Sequence, residues 1–216
     1  MQGSPRLKEY RTVAKNSEIE IIISKSRFIG RCFPCADEEQ ARLKLEEIRK
    51  RHWDASHNCY AYSIGINGET ARFSDDGEPS GTAGAPMMEA VKRIGATNLL
   101  CVVTRYFGGI LLGAGGLIRA YSKCCSAAVK EAEPIVMRPC RVHSFELSYP
   151  LWARLEDTFK KYGSIEAVEY GATVRIVFKV GFAEETGFLH EIAVKTDASL
   201  TGKVIGEDYA PGKEDA

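Results

Sequence analysis

Five glycines crowd residues 108–116, where a continuously apolar segment gives way to a helical pattern. The apolar segment, Leu99–Thr104, does not alternate, which is typical of a strand buried on both faces. A helix is predicted from about Gly115 to Glu131. Because glycine lets the backbone approach its neighbours closely, this stretch predicts a strand, a tight loop and a helix in direct succession.

The residues before this unit predict four more strands and two more helices. One helix begins after Asp37, which with Gln40 has the pattern of a capping box. The other begins near Pro86 and ends at Gly95. The four strands are predicted over Glu18–Ile23, Arg27–Cys35, Cys59–Ile66 and Thr70–Ser74, with Asn67-Gly68 turning the last pair.

The last third of the chain predicts the order strand, helix, strand, strand, helix, strand, which is the ferredoxin-like arrangement. An antiparallel sheet of four strands with both helices on one face can bury a core at about 70 residues. The first helix follows Pro150 and carries an apolar stripe of Trp152, Leu155, Phe159 and Tyr162. The other elements are predicted over Arg141–Tyr149, Ile165–Tyr170, Thr173–Val180, Glu184–Thr196 and Ser199–Ile205.

Charge divides the chain near Cys140. Residues 1–139 carry 20 basic and 16 acidic side chains, net +4, whereas residues 140–216 carry 9 and 13, net −4. Pro134 and Pro139 are expected to interrupt the chain between Glu133 and Arg141. We therefore expect one domain over residues 1–137, a ferredoxin-like domain over 138–209 and a frayed tail over 210–216.

Composition excludes several classes of protein. The 29 basic and 29 acidic residues cancel, so the whole chain is not a polyanion binder of the histone type, and an anionic partner would meet the first domain. No run of about eighteen apolar residues occurs and no signal peptide is recognised, so no membrane association is expected. Seven cysteines at low density indicate a reducing compartment, hence the cytoplasm.

The glycine-rich stretch has the features of an anion site. Arg105 and Arg119 flank it with forked donors that suit phosphate, and a helix that starts among glycines offers free N–H groups. Neither the Walker pattern nor a clean dinucleotide fingerprint is present. Three interpretations stay open: close packing of helix on strand, contact with an anion or an RNA backbone, and a catalytic phosphate site.

An acidic loop precedes this stretch. Asp75, Asp76 and Glu78 place three carboxylates within four residues, enough to hold a hard cation, although without the length or ligand pattern of an EF-hand. The acids could instead accept hydrogen bonds from backbone N–H groups of their own loop. A third interpretation places them opposite Arg105 in a shared polar cleft. We expect no metal and no cofactor.

The cysteines and histidines give weaker signals. Cys32 and Cys35 form a CxxC pair, but no second pair has the spacing of a zinc site. The next helix begins too late for a thioredoxin-like motif, so both cysteines are predicted to be structural. His57 is a candidate cleft residue, and His52, His143 and His190 are interpreted as ordinary surface or helix-end residues.

Four separated motifs together resemble the YigZ/Impact family. They are Lys25-Ser26-Arg27-Phe28, His57 to Tyr62, Phe73 to Gly84 and Arg105 to Tyr121. The resemblance implies an α+β protein whose first domain is similar to the second domain of small-subunit ribosomal protein five. It also implies a second, ferredoxin-like βαββαβ domain similar to domain V of elongation factor G.

The resemblance further implies a role linked to translation, because eukaryotic relatives restrain a stress kinase that phosphorylates an initiation factor. Our leading hypothesis is a cytoplasmic regulator that binds ribosomal RNA, the ribosome or another nucleic acid through the first domain. The alternatives are an enzyme acting on a small phosphorylated or nucleotide ligand and a protein-binding adaptor; no catalytic residue and no oligomeric state is predicted. The candidate cleft residues are Lys25, Arg27, His57, Asp75, Asp76, Glu78, Arg105, Tyr106, Gly108, Gly109, Gly113, Gly115, Gly116 and Arg119.

Overall fold

The computed structural model describes residues 7–212 and divides the chain into two compact units. The first unit is Tyr10–Val136; the second begins at Met137 and also includes residues 7–9. Within residues 7–212, no helix is long and apolar enough to cross a membrane. The predicted α+β class with two units is confirmed.

The first unit contains six strands and three helices within the described residues. In chain order they are β1 (Tyr10–Val13), β2 (Ser17–Ile23), β3 (Ser26–Pro34), α1 (Glu38–Arg51), β4 (His57–Ile64), β5 (Thr70–Ser74), α2 (Gly84–Ile94), β6 (Leu99–Tyr106) and α3 (Gly113–Glu131). Five of the strands form an antiparallel sheet in the order β2-β3-β6-β4-β5. The predicted elements are found within two residues of their expected ends, and β1 is an addition.

Local sequence explains where these helices begin and end. Asp37 caps α1 by accepting the backbone N–H of Gln40 at 2.8 Å, as the capping box predicts, while the Gln40 side chain accepts from Ala36. Gly95 ends α2 in the left-handed conformation at φ 72°, which glycine adopts without strain. These caps fix where α1 begins and where α2 ends.

Helices cover both faces of the first unit's sheet. The helices α2 and α3 pack on one face, where the rings of Phe28 and Tyr121 meet edge to face at 5.4 Å. The helix α1 packs on the other face through Ala41, Leu45 and Ile48. The sheet is therefore buried on both sides, and the polar groups near its ends have defined surroundings.

The second unit has the ferredoxin-like arrangement. Its elements are β7 (Pro134–Leu147, whose first three residues belong to the first unit), α4 (Tyr149–Tyr162), β8 (Gly163–Tyr170), β9 (Val174–Gly181), α5 (Glu185–Thr196) and β10 (Lys203–Pro211). These strands pair in the order β8-β9-β7-β10, all antiparallel. The predicted stripe of α4 packs here, with Leu155 and Phe159 fully buried beside Phe178 and Phe188.

Pro134 and Pro139 do not interrupt the chain, and that expectation is wrong. Both lie in β7, where Pro139 is paired with Tyr209 of β10. Only alternate residues of an antiparallel strand direct their N–H towards a given neighbour, so a strand accepts proline at the other positions. A pair of prolines is therefore weak support for a linker.

The end of the chain also differs from the sequence expectation. The last strand begins at Lys203 instead of Ser199, and Asp197 and Ala198, just after α5, have left-handed backbone angles. Of the predicted tail, Ala210 and Pro211 belong to β10, and residues 213–216 lie outside the described residues.

The sequence suggested that His143 is an ordinary surface or helix-end residue, and that interpretation is wrong. It is buried in the second unit, where Nε2 contacts Glu185 Oε1 at 2.8 Å and the ring stacks on Phe145. The alternation of side chains along β7 directs His143 inward. Glu185, the partner that compensates for this burial, lies 42 residues further along the chain.

Candidate functional site

One end of the first unit's sheet gathers the candidate residues. The register places Arg105 at the end of β6 directly opposite Phe28 of β3 and His57 of β4. The glycine loop (residues 107–112) leaves β6 at this end. The acidic loop (residues 75–83) leaves β5 at the same end, because Ser74 is paired with Tyr60.

A cavity of about 350 Å³ lies between these two loops and the start of α3. Its polar lining consists of His57, Glu78 and Arg105. Gly113 and Ala114 bring the first turn of α3 to the cavity. The apolar walls are Pro79, Phe107, Leu111, Leu112 and Leu117.

The positive charge of Arg105 is neutralised by Glu78 inside this site. Its Nη1 donates to Glu78 Oε1 at 2.6 Å, and its Nη2 donates to Ser26 at 3.2 Å. The guanidinium also lies 5.4 Å from the ring centroids of both Phe28 and Phe107. Arg105 is therefore a buried ion-pair partner of Glu78, and contact of Arg105 with phosphate stays a prediction.

Tyr121 completes the surroundings of Glu78. Its hydroxyl donates to the same Oε1 atom at 2.7 Å. Burial raises the pKa of Tyr121 well above its usual value, so the hydroxyl keeps its proton and remains a donor. Glu78 Oε1 thus has two donors, whereas Oε2 forms no hydrogen bond with any described residue.

His57 faces the unused oxygen of Glu78. Its Nδ1 lies 2.8 Å from the backbone carbonyl of Asp76, which can only accept, so Nδ1 carries the proton. Nε2 lies 3.8 Å from Glu78 Oε2, and the two groups form an ion pair when the ring carries a second proton. When the ring carries one proton, on Nδ1, Nε2 and Oε2 are two neighbouring acceptor atoms, and neither forms a hydrogen bond with any described residue.

Asp75 and Asp76 hold the acidic loop together, and the expectation that they face Arg105 is wrong. The Asp75 carboxylate accepts the backbone N–H groups of Gly81, Ala83 and Gly84 at 2.8 to 2.9 Å. Burial opposes ionisation of Asp75, but these three donors outweigh it and lower its pKa. Asp76 accepts from the backbone N–H of Asn58 and pairs with Arg49.

The interpretation of acids that accept backbone N–H groups of their own loop thus fits Asp75, whereas Asp76 accepts an N–H from β4. The interpretation of an acid opposite Arg105 fits Glu78. Within residues 7–212, no group of three or more His, Cys, Asp or Glu side chains is arranged to hold a metal ion.

The glycine loop packs closely on the β2–β3 hairpin. A Cβ on Gly108 would lie 2.0 Å from the carbonyl carbon and oxygen of Lys25, which only glycine permits. Gly109 and Gly113 have positive φ angles of 81° and 68°. These glycines thus serve close packing and turning, and Gly108 brings the glycine loop against the tip of the hairpin.

The first turn of α3 lacks the groups that usually neutralise the positive end of a helix. Its N-cap residue, Leu112, forms no side-chain cap, and the turn contains no acidic residue. Gly115 and Gly116 lie in this turn, and Arg119 Nη1 lies 3.5 Å from where a Cβ of Gly115 would be. Arg119 is exposed and pairs with no acid in the described chain.

Arg27 and Tyr106 lie on the opposite face of the sheet, away from the cavity. Successive strand residues alternate in direction, so Tyr106 points away from Arg105. Its hydroxyl contacts His52 and Asp54, and Arg27 lies over its ring. The predicted residues thus divide among a cavity, an exposed rim and this second face.

Sequence reasoning did not select the apolar walls or the buried partners Ser26 and Tyr121. Tyr121 follows Leu117 by four residues on α3, a spacing that places both on one helix face. That spacing was the one signal in the sequence that could have added Tyr121 to the site.

Comparison with known proteins agrees with this architecture. The model of the Impact N-terminal domain matches residues 24–129. The chain is 43% identical over 155 residues to the IMPACT family member YvyE of Bacillus subtilis, covering 72% of this chain and 71% of that protein. It is 38% identical to the IMPACT family member YigZ of Escherichia coli, covering 86% and 92%.

A solved structure described as a hypothetical protein is similar with a TM-score of 0.60 and 30% identity, covering 93% of this chain and 98% of that chain. The fold and its glycine-loop site define a two-unit α+β protein of the Impact type. This chain belongs to the IMPACT family, and the resemblance drawn from its motifs is confirmed.

Proposed function

We propose that this chain is a regulator linked to translation and that it binds RNA, with ribosomal RNA as the leading candidate, through the glycine-loop end of the first unit. Membership of the IMPACT family supports a regulatory role. The RNA-binding part of the proposal is based on the charges at this end of the sheet.

The supporting observation is a set of uncompensated cations around the glycine loop. Lys25 at the hairpin tip and Arg119 on α3 are exposed and have no ion-pair partner in the described chain. Lys123 is exposed one turn beyond Arg119. Because Glu78, Asp75 and Asp76 are already bonded elsewhere, no acid of the neighbouring loop offsets these charges.

Exposed aromatic and glycine residues favour single-stranded RNA as the form that binds. Phe107 is 48% exposed, and unpaired bases stack on exposed aromatic side chains. The glycines beside it allow a phosphate backbone to approach the main chain closely. Cations would then contact phosphates, while stacking would tolerate many sequences.

The test is a salt titration of binding to a labelled single-stranded fragment of ribosomal RNA. We expect the wild-type affinity to fall steeply with salt, and the slope of the Lys25→Ala, Arg119→Ala double variant to be smaller by about 1.4, since each phosphate contact on single strands contributes roughly 0.7. The control is Arg42→Ala with Lys44→Ala, which removes two ion-paired charges of α1, one exposed and one half-buried. Equal slopes for both double variants would contradict the proposal.

A protein-binding adaptor is the second candidate, because the same end exposes apolar side chains. Leu111 is 87% exposed, and Ile110 and Ile118 are exposed beside it. Contiguous apolar surface often marks a protein interface. Sedimentation with ribosomes that is lost in Leu111→Asp but unaffected in the Lys25, Arg119 double variant would favour this candidate over RNA.

A further inference from the structure

The cavity beside the glycine loop contains groups that RNA binding at the exposed rim would not use. We propose that this cavity binds a free α-amino acid with an apolar side chain, holding its ammonium group at Glu78 and His57 and its carboxylate at the first turn of α3.

The ammonium end is indicated by two acceptors that lack a donor. Glu78 lines the cavity, its side chain is only 3% exposed, and its Oε2 forms no hydrogen bond with any described residue. His57 Nε2, 3.8 Å away, is the other acceptor when the ring carries its one proton on Nδ1, which contacts the Asp76 carbonyl. Both atoms can then accept further hydrogen bonds, and a primary ammonium supplies three N–H donors.

The carboxylate end is indicated by the start of α3. This helix is 19 residues long, and its first turn has neither a side-chain cap nor an acidic residue. The N–H groups of a helix start are unpaired within the helix and carry its positive end. Gly113 and Ala114 of this turn line the same cavity as Glu78, so a carboxylate and an ammonium of one molecule could reach both groups.

The size and charge of the cavity favour a small zwitterion. Its volume of about 350 Å³ is near the lower end of the range for ligand pockets, roughly 300 to 1,000 Å³. Its charged groups, Glu78 and Arg105, cancel as an ion pair. A molecule with two or more phosphate charges would find no matching excess of positive charge there.

The walls select an apolar side chain. Phe107, Leu112, Leu117 and Pro79 form most of the remaining surface, and no lysine or further acid lines the cavity among the described residues. A branched aliphatic or aromatic side chain would bury its surface against them, at about 25 cal/mol per Å² of apolar area. Leucine and phenylalanine are therefore the probes to use.

Calorimetry on the full chain tests the proposal with matched probes. We expect L-leucine or L-phenylalanine to bind, and binding to be roughly tenfold weaker or more for two leucine analogues, 4-methylpentanoate without the amine and 3-methylbutylamine without the carboxylate, since each loses one set of charged hydrogen bonds. Lysine and glutamate should not compete. Equal binding of either analogue, or no binding of both amino acids, would overturn the proposal.

Two variants at one exposed position separate ligand binding from folding. Ala114→Asp places a carboxylate at the start of α3, which favours the helix while competing with the ligand carboxylate. We expect this variant to keep its stability and to lose amino-acid affinity about tenfold or more, whereas Ala114→Asn, of nearly the same size, should lose less. Unchanged affinity in Ala114→Asp would place the carboxylate elsewhere and refute the assignment.

Discussion

Arg105 and Glu78 form an ion pair with an Nη1–Oε1 distance of 2.6 Å, and their side chains are only 6% and 3% exposed. The pair joins the end of β6 to the acidic loop, and Tyr121 and Ser26 add a hydrogen bond to each partner. A buried ion pair gains little over apolar packing, but losing one partner leaves the other charge buried without compensation. The acidic loop is thus fixed to the end of β6 by an interaction that we expect not to tolerate truncation of either partner.

Arg105→Ala should therefore destabilise the protein strongly. The uncompensated Glu78 charge is expected to cost roughly 3–5 kcal/mol of unfolding free energy. Urea unfolding followed by circular dichroism measures the change. Arg42→Ala, which breaks an exposed pair with Glu46, is the control and should cost no more than about 1 kcal/mol.

Unchanged stability of Arg105→Ala, together with weaker RNA binding, would instead indicate that Arg105 binds the ligand. If Arg105→Ala unfolds at the wild-type urea concentration but binds RNA with a smaller salt slope, then Arg105 contacts phosphate. Its buried pairing with Glu78 would then not describe the state that binds.

His52 should make the stability depend on pH in the mildly acidic range. Burial, and then the nearby Arg31 charge, lower the pKa of His52 below its usual value of 6.5. Arg31 Nη2 donates to Nε2 at 2.7 Å, so a proton on Nε2 would oppose an N–H donor. Because the unfolded chain binds this proton more readily, stability is full above about pH 6.5 and falls as the pH decreases below that value.

The contribution of His52 is measured by difference. Unfolding free energies of wild type and His52→Gln should converge as the pH falls from 7 towards 5, because only the wild type loses this contribution. The control is Trp53→Gln, which changes an exposed neighbour and leaves His52 in place. Its unfolding free energy should not converge with that of the wild type as the pH falls. Parallel curves for wild type and His52→Gln would show that His52 does not carry the effect.

Asp75 should matter for stability and not for metal binding. Its carboxylate accepts three backbone N–H groups of its own loop, so Asp75→Ala is expected to cost roughly 1.5–3 kcal/mol, the range for hydrogen bonds to charged groups. Since its pKa is lowered, the contribution persists at neutral pH and is lost only as the pH falls below about 3.8. Thermal unfolding of the wild type and of Asp75→Ala at pH 7 and at pH 3 tests both expectations.

Calorimetry with magnesium, manganese and calcium addresses the same loop. We expect no binding tighter than about millimolar, the weak end of carboxylate sites, because the oxygens of Asp75 are already used by N–H donors. Tight binding that disappears in Asp75→Asn would show that the loop rearranges around a cation, and it would support a metal-assisted enzyme.

The predictable part of this molecule is local. Gly95 and Asp37 determine helix ends through their own backbone and side-chain preferences, and the unbroken apolar run Leu99–Thr104 identifies a buried strand from composition alone. In the same way, the order of elements after Arg141 suffices for a ferredoxin-like sheet. The helix ends and the buried strand need only residues within one turn or one strand, and the ferredoxin-like sheet needs only the order of such local elements.

The ion-pair and hydrogen-bond partners of the charged groups could not be predicted from the sequence, because they depend on the register between paired strands. Asp75, Asp76 and Glu78 are nearly equivalent in sequence, yet Glu78 alone pairs with Arg105, whereas Asp75 bonds the loop backbone. The choice follows from the pairing of β4 with β6, which joins residues almost fifty positions apart. Tyr106 shows the same limit, since strand alternation sends it to the opposite face from Arg105.

The glycines of the loop should differ in what an added methyl group costs. Gly108→Ala would place Cβ 2.0 Å from the Lys25 carbonyl, so the backbone must move and the variant should be the least stable. Gly109→Ala meets no atom within 4 Å but has φ 81°, which costs about 1–2 kcal/mol for a residue with a Cβ. Gly115→Ala lies in the helix with ordinary contacts and should gain about 0.5–1 kcal/mol from better helix propensity. Urea unfolding of the three variants should therefore give stabilities in the order Gly115→Ala, wild type, Gly109→Ala, Gly108→Ala. A Gly108→Ala variant as stable as wild type would show that the glycine loop does not pack on the β2–β3 hairpin in solution, because the close approach of Gly108 to the Lys25 carbonyl would then be absent.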